Sequence, residues 1–324
     1  MHKFPKQHFT HLFDFMTGGT ESTLYIAEAV PEWRGSSHRL TADRSPRGRT
    51  DMVSKVDLHG LEPSGPGWEE AWAALTASME AHGAVLVMHE ALGPDLRQGL
   101  FGRAVPDGYI GPRPQAPTYG SACVRETTLD GCVVRDATAV VWPDGNPAFC
   151  DTIETFAENM LGLQKTLETM ILEGLGVRKE NVDAHLRSLT YRLRLSHYGS
   201  LAEMGNAMYM QAHKDCTVLS LLQVQGGSWL PVPAEPGTFA VVAGELLTIV
   251  TNGRVPANVH RVRTPSDRER FSAQVRIDGA PCGRSSSAKI YNPCNFDEYV
   301  NFRFMGDGRK LSDPLEGFCG AVKD

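Results

Sequence analysis

Apolar positions along this chain fall into two regimes. Up to about Leu189 they recur at helical steps between short extended runs; beyond it they alternate with polar positions. Ile153, Phe156, Met160, Leu163, Leu167, Met170, Ile171 and Leu175 draw one stripe along a long amphipathic helix. Asn146 suits its N-cap and Pro147 its first position, while Gly174 and Gly176 end it. Trp68 to His82 predicts another helix, stopped by Gly83, and Ala84-Val85-Leu86-Val87-Met88 a buried strand. Leu96 to Val105 starts a further helix that Pro106 stops, and the Pro- and Gly-rich stretch 106–147 predicts loop.

After that boundary the period changes. Leu189, Tyr191, Leu193 and Leu195 alternate with Thr190, Arg192 and Arg194. Segments 217–224, 238–242, 246–251, 259–263 and 271–277 follow as strands at short spacing, in the manner of a jelly-roll. Asp278 to Lys289 predicts loop, and Asn295 to Met305 a closing helix. At the other end Met52 to Leu58 alternates like a first strand, whereas residues 1–50 show no periodic apolar face and predict a flexible leader. Asp14, Glu21, Glu28, Glu32 and Asp43 are more acid than an organellar targeting peptide carries, and His2, His8 and His11 read as solvated tail residues. The expected organisation is a disordered leader at 1–50, a helical region with a few strands at 51–188, and a β-rich core with a C-terminal helix at 189–324.

Composition narrows the class. A net charge of −6 excludes a nucleic-acid partner held by bulk electrostatics, so no nucleic acid is expected. No window has the apolar length of a membrane span, and the N-terminus lacks a secretory signal, so no membrane partner and a cytoplasmic location are expected. Seven scattered cysteines without a Cys-x-x-Cys read as reduced thiols. A monomer acting on a small-molecule substrate is expected.

The chemistry concentrates in the second half. His213-Lys214-Asp215 lies at the mouth of an extended run, where residues i and i+2 share a face, and His260 opens another. Two imidazoles and one carboxylate can occupy one face of an Fe(II) ion and leave the opposite positions open. Ten residues past His260, Arg270 and Ser272 again share a face, offering a fork and a hydroxyl to one end of a dicarboxylate. A lone His-x-Asp carries little weight; the ordered set is far more specific. Arg192 and Arg194, opposite the leucines, suit either an acidic substrate or a solvated face. Glu203, Met204 and Met208 suit either lining or packing, and Lys214 is expected to be exposed.

These stretches resemble a known family. Asn252-Gly253-Arg254-Val255-Pro256-Ala257-Asn258-Val259-His260-Arg261-Val262, continued to Arg270-Phe271-Ser272, is similar to the plant-type 2-oxoglutarate/Fe(II)-dependent dioxygenases. Trp142-Pro143-Asp144-Gly145-Asn146, Arg194-Leu195-Ser196-His197-Tyr198 and Tyr291-Asn292-Pro293 resemble its AOP-like branch, related to glucosinolate side-chain dioxygenases. The resemblance runs from about Val53 to the C-terminus. It implies an α+β fold, a distorted double-stranded β-helix (jelly-roll, cupin-like) with flanking helices. It implies His213, Asp215 and His260 as iron ligands, and Arg270, Ser272 and Tyr198 as contacts to 2-oxoglutarate. The family usually has Asn where this chain has Ser196, and longer connections after Pro106 and around Gly226-Gly227-Ser228-Trp229. The implied activity is hydroxylation or desaturation of a small plant-type metabolite or hormone, with succinate and CO2 released. Fe(II), 2-oxoglutarate and O2 take part, with ascorbate as a candidate reductant. Two alternatives stand beside it: a catalytically weak or inactive homologue that binds a small molecule, and an iron oxygenase that takes another reductant.

Overall fold

A computed structural model of the chain describes residues 23–26, 53–96, 119–125, 145–198, 208–223, 230–231, 237–263, 270–279, 291–292 and 294–320. The helix at Trp68–His82 (α1) ends where expected, because Gly83 takes a left-handed φ of 63° and donates its N–H to Met79. Its position is also crowded: a Cβ there would lie 1.9 Å from the Pro256 carbonyl oxygen. The long stripe forms α2 (Pro147–Gly174); its seven apolar residues within the helix and Leu175 just past its end are all buried. Trp72 of α1 donates its indole N–H to the Met170 carbonyl of α2 at 2.5 Å, so the two helices pack as one layer. Lys179–Arg187 (α3) follows. Gln164 and Glu168 are fully buried on α2, where the stripe showed only apolar positions; Glu168 meets His185 of α3 at 3.1 Å.

The strands are β1 (Thr23–Ile26), β2 (Lys55–Asp57), β3 (Ala84–Met88), β4 (Tyr119–Arg125), β5 (Leu189–Tyr198), β6 (Met208–His213), β7 (Leu219–Gln223), β8 (Leu230–Pro231), β9 (Thr238–Ala243), β10 (His260–Arg263) and β11 (Arg270–Gly279). Among the described residues they form two sheets, one in the order β2-β3-β9-β7-β11-β5-β4 and one in the order β6-β10-β1-β8. The pairings are antiparallel except β2 with β3. Val241, Leu221, Val275 and Leu193 are fully buried along the middle of the larger sheet and belong to one apolar core with the α2 stripe. Helices α5 (Phe296–Phe304) and α6 (Pro314–Cys319) close the chain, α5 where the sequence suggested a closing helix and capped by the Asn295 side chain.

Three expectations are corrected. Residues 246–251 are not a strand: Glu245–Val250 is a short helix, α4. A six-residue apolar run carries no period that separates the two states, and here hydrogen bonds from Glu245 to Asp215 and from Leu246 to Thr217 start a turn. Within 106–147, Tyr119–Arg125 is strand rather than loop, because it finds a seven-residue ladder on β5. Leu96 to Val105 and Asp278 to Lys289 fall mostly outside the described residues.

The third correction concerns the leader. Thr23-Leu24-Tyr25-Ile26 pairs with β10 on one side and β8 on the other. Among the described residues β1 therefore stands inside the smaller sheet, between β10 and β8. Four β-favouring residues with two partner strands suffice, though they are too few to show a period. The rest of 1–50 lies outside the described residues, including His2, His8 and His11. A chain beginning at Asp51 is therefore expected to melt several degrees below the full chain, since backbone hydrogen bonds contribute about 1 kcal/mol each. Equal melting temperatures of the two in a calorimetric scan would show that the sheet does not need β1.

Candidate metal centre

The smaller sheet brings the two histidines together. His213 ends β6 and His260 opens β10, and the antiparallel register sets them directly opposite each other. Their ring centroids are 4.3 Å apart. Asp215, just past the end of β6, turns back between them: its Oδ1 is 3.8 Å from His213 Nε2 and its Oδ2 3.8 Å from His260 Nε2. One ligand atom from each residue falls within 4.8 Å of the others. The side chains of Asp215 and His260 are 7% and 4% exposed and that of His213 is 26%, so the cluster opens on the His213 side.

Groups around the cluster fix its donors. Ser220 donates its hydroxyl to Asp215 Oδ2 at 2.6 Å, and Gln274 donates an amide N–H to the same oxygen at 3.3 Å. Thr217 and Ser220 share a hydroxyl bond at 3.1 Å. Two donors on one carboxylate oxygen hold the side chain in a single orientation. His260 Nδ1 lies 3.4 Å from the Asn258 carbonyl; a proton donated there leaves Nε2 facing the carboxylate. Asn258 is itself tied to the His82 carbonyl at 2.9 Å. Two imidazole nitrogens and a buried, oriented carboxylate are the donor set of a facial iron site, and these residues fit it.

The larger sheet carries the remaining candidates. Ser272 on β11 is buried and stands opposite the buried Ser196 of β5. The backbones of Arg270 and Tyr198 are register partners one step further along; their side chains lie outside the described residues. Glu203 and Met204 also lie outside them, and of Met208 only the backbone, at the start of β6, is described. Gln274 is the register partner of Arg194, and partners in an antiparallel ladder project to one face. Since Gln274 reaches Asp215, Arg194 belongs to the face that looks towards the cluster. Its Nε is buried and finds no hydrogen-bond partner among the described residues. Arg192 instead stacks its guanidinium 5.7 Å from the Phe296 ring. Lys214 is half-buried rather than exposed, its ammonium 4.0 Å from Asp313.

Sequence reasoning missed Ser220, Gln274 and Asn258. Gln274 had a signal, since it continues the i, i+2 series from Arg270 and Ser272. Ser220 had none, because its approach to Asp215 depends on the turn between β6 and β7.

A two-sheet scaffold with a His-Asp-His cluster between strand ends defines a protein able to hold a metal ion at the edge of its smaller sheet. Residues 190–279 match the 2OG-Fe(II) oxygenase superfamily, so the chain carries a 2OG-Fe(II) oxygenase domain and is a dioxygenase that uses Fe(II) and 2-oxoglutarate. The chain is 25% identical over 298 residues to the probable 2-oxoglutarate-dependent dioxygenase AOP1.2 of Arabidopsis thaliana, covering 80% of this chain and 92% of that one. Among solved structures it is similar to the rice dioxygenase for auxin oxidation, with a TM-score of 0.68 at 20% identity, covering 83% of this chain and 100% of that one. It is also similar to JOX2 in complex with 2OG, Fe and JA, with a TM-score of 0.65 at 18% identity, covering 83% and 89%. These likenesses bear out the jelly-roll expectation. No helix among the described residues is long and apolar enough to cross a membrane.

Proposed function

We propose that the chain hydroxylates or desaturates a small plant-type metabolite that carries a carboxylate. His213, Asp215 and His260 are the iron ligands in this reading. The observation that carries it is their convergence within 4.8 Å, with the carboxylate already oriented by Ser220 and Gln274. Once bound together, Fe(II) and 2-oxoglutarate supply the oxidation of a C–H bond by O2, with succinate and CO2 released. The protein's own part is binding, orientation and water exclusion. Ser220 and Gln274 hold Asp215 in place, and the Asn258 carbonyl holds the His260 ring. Arg270 and Ser272 grip the distal carboxylate of 2-oxoglutarate, with Tyr198 beside them on the neighbouring strand. Arg194, the half-buried cation on the cluster-facing side of β5, meets the acidic group of the prime substrate. That a similar solved structure is named for auxin oxidation supports a hormone-like substrate of this kind. The reading includes a cytoplasmic monomer of specialised metabolism.

The test combines spectroscopy with turnover. Anaerobic Fe(II) with 2-oxoglutarate is expected to give a visible charge-transfer band that Fe(II) alone does not. Succinate release is then expected with small carboxylic acids and not with their methyl esters. Arg194→Gln is expected to raise KM for the acid about tenfold, the scale of one lost charge-assisted contact. A band without any preference for acids would refute the carboxylate assignment; no band would refute the co-substrate site.

A further inference from the structure

A buried polar clamp lies behind the candidate iron ligands, built from two segments far apart in sequence. Glu245, the first residue of α4, is 1% exposed, and its own N–H donates to the Asp215 carbonyl at 2.9 Å. Its side-chain Oε2 accepts the hydroxyl of Tyr299 at 2.6 Å and a guanidinium N–H of Arg303. The other guanidinium nitrogen of Arg303 donates to the Lys214 carbonyl at 3.1 Å. Arg303 also donates to the Tyr299 hydroxyl oxygen at 3.0 Å, so the three side chains form a closed set. The carbonyls of Lys214 and Asp215, successive peptide groups of the segment that presents Asp215, are thus both gripped from one side.

The composition of this clamp is informative. Burial pushes the Glu245 carboxyl up, against the pull of Arg303 beside it. A buried ion pair is a poor source of stability, because desolvating both charges offsets most of their attraction. Apolar side chains would join α5 to α4 at lower cost. What the charged set adds is directional: a planar fork that reaches a carboxylate and a peptide carbonyl at the same time.

We propose that Glu245, Tyr299 and Arg303 are positioning residues that hold the Lys214–Asp215 backbone in the geometry that presents Asp215 beside His213 and His260. Helix α5 is then a working part of the metal site, although none of its residues belongs to the ligand cluster. This rests on the reading that the cluster binds Fe(II).

The test measures Fe(II) affinity by anaerobic titration, with the 2-oxoglutarate charge-transfer band and the metal-free melting temperature, in the full chain. Arg303→Lys keeps a charge opposite Glu245 but loses the fork, so it is expected to melt near the wild type yet bind Fe(II) about tenfold more weakly. Arg303→Met is expected to lose both. Wild-type iron affinity in Arg303→Lys would overturn the proposal, whatever Arg303→Met does, because the residue would then be a packing element only. If the wild type itself neither binds Fe(II) nor gives the band, the reading of the site fails, and the clamp's assignment with it.

Discussion

Asp215→Ala and His260→Ala are each expected to abolish Fe(II) binding and succinate release. Three protein donors are the minimum for a facial site, and these two are the buried ones. Loss of Asp215 removes the single negative ligand and leaves Ser220 and Gln274 without the oxygen they both donate to. Loss of His260 opens a cavity at the start of β10 and removes one of the two ring nitrogens facing the carboxylate. His213, the most exposed ligand, belongs to the same set and His213→Ala should behave alike, with metal content measured after dialysis against Fe(II). Retention of wild-type iron by any of the three would move the site elsewhere. The folded state should persist in each, because the ligands are outside the main apolar core.

Gly244→Ala is expected to damage both the fold and the site. A Cβ at Gly244 would sit 2.0 Å from the Thr217 carbonyl oxygen and 2.6 Å from its carbon, a backbone collision that no side-chain rotation relieves. The Gly244 N–H donates to the Val218 carbonyl at 2.9 Å, so the two segments cannot separate without losing that bond. Overpacking of this kind costs about 3 kcal/mol. The displaced segment is the one that joins Asp215 to Ser220, so iron affinity should fall together with the melting temperature. A variant with normal melting and normal iron binding would show that this junction yields more easily than its contacts suggest.

The metal cluster was legible because a metal restricts ligand chemistry to a few residue types, and strand geometry restricts their spacing. Helix α1 and strand β3 were legible because Gly83 separates them and each side keeps its own period. Helix α4 was not, since six apolar residues fit either state and the choice is made by hydrogen bonds to the Asp215–Thr217 segment. Strand β4 was hidden by its Pro- and Gly-rich surroundings; its ladder on β5 is a long-range fact. The same holds for Ser220 and Arg303, whose partners are set by how the chain returns on itself. Tyr198 on β5 and Arg270 and Ser272 on β11 stand on adjacent strands, a pairing set by the long-range ladder rather than by the motif.

The place of β1 in the smaller sheet bears on how the chain reaches its native state. Thr23–Ile26 leaves the ribosome early, but its partners at Leu230–Pro231 and His260–Arg263 are made only after most of the polypeptide. Until then the strand has nothing to pair with, and closing so long a loop is slow. Assembly of the sheet that carries both histidines must therefore be a late event, completed when β1 threads between β8 and β10. In the interval β10 offers an open edge, and a β1 from a second copy would fit it as well as its own. High concentration during refolding would then favour strand-exchanged pairs, and dilution the single chain.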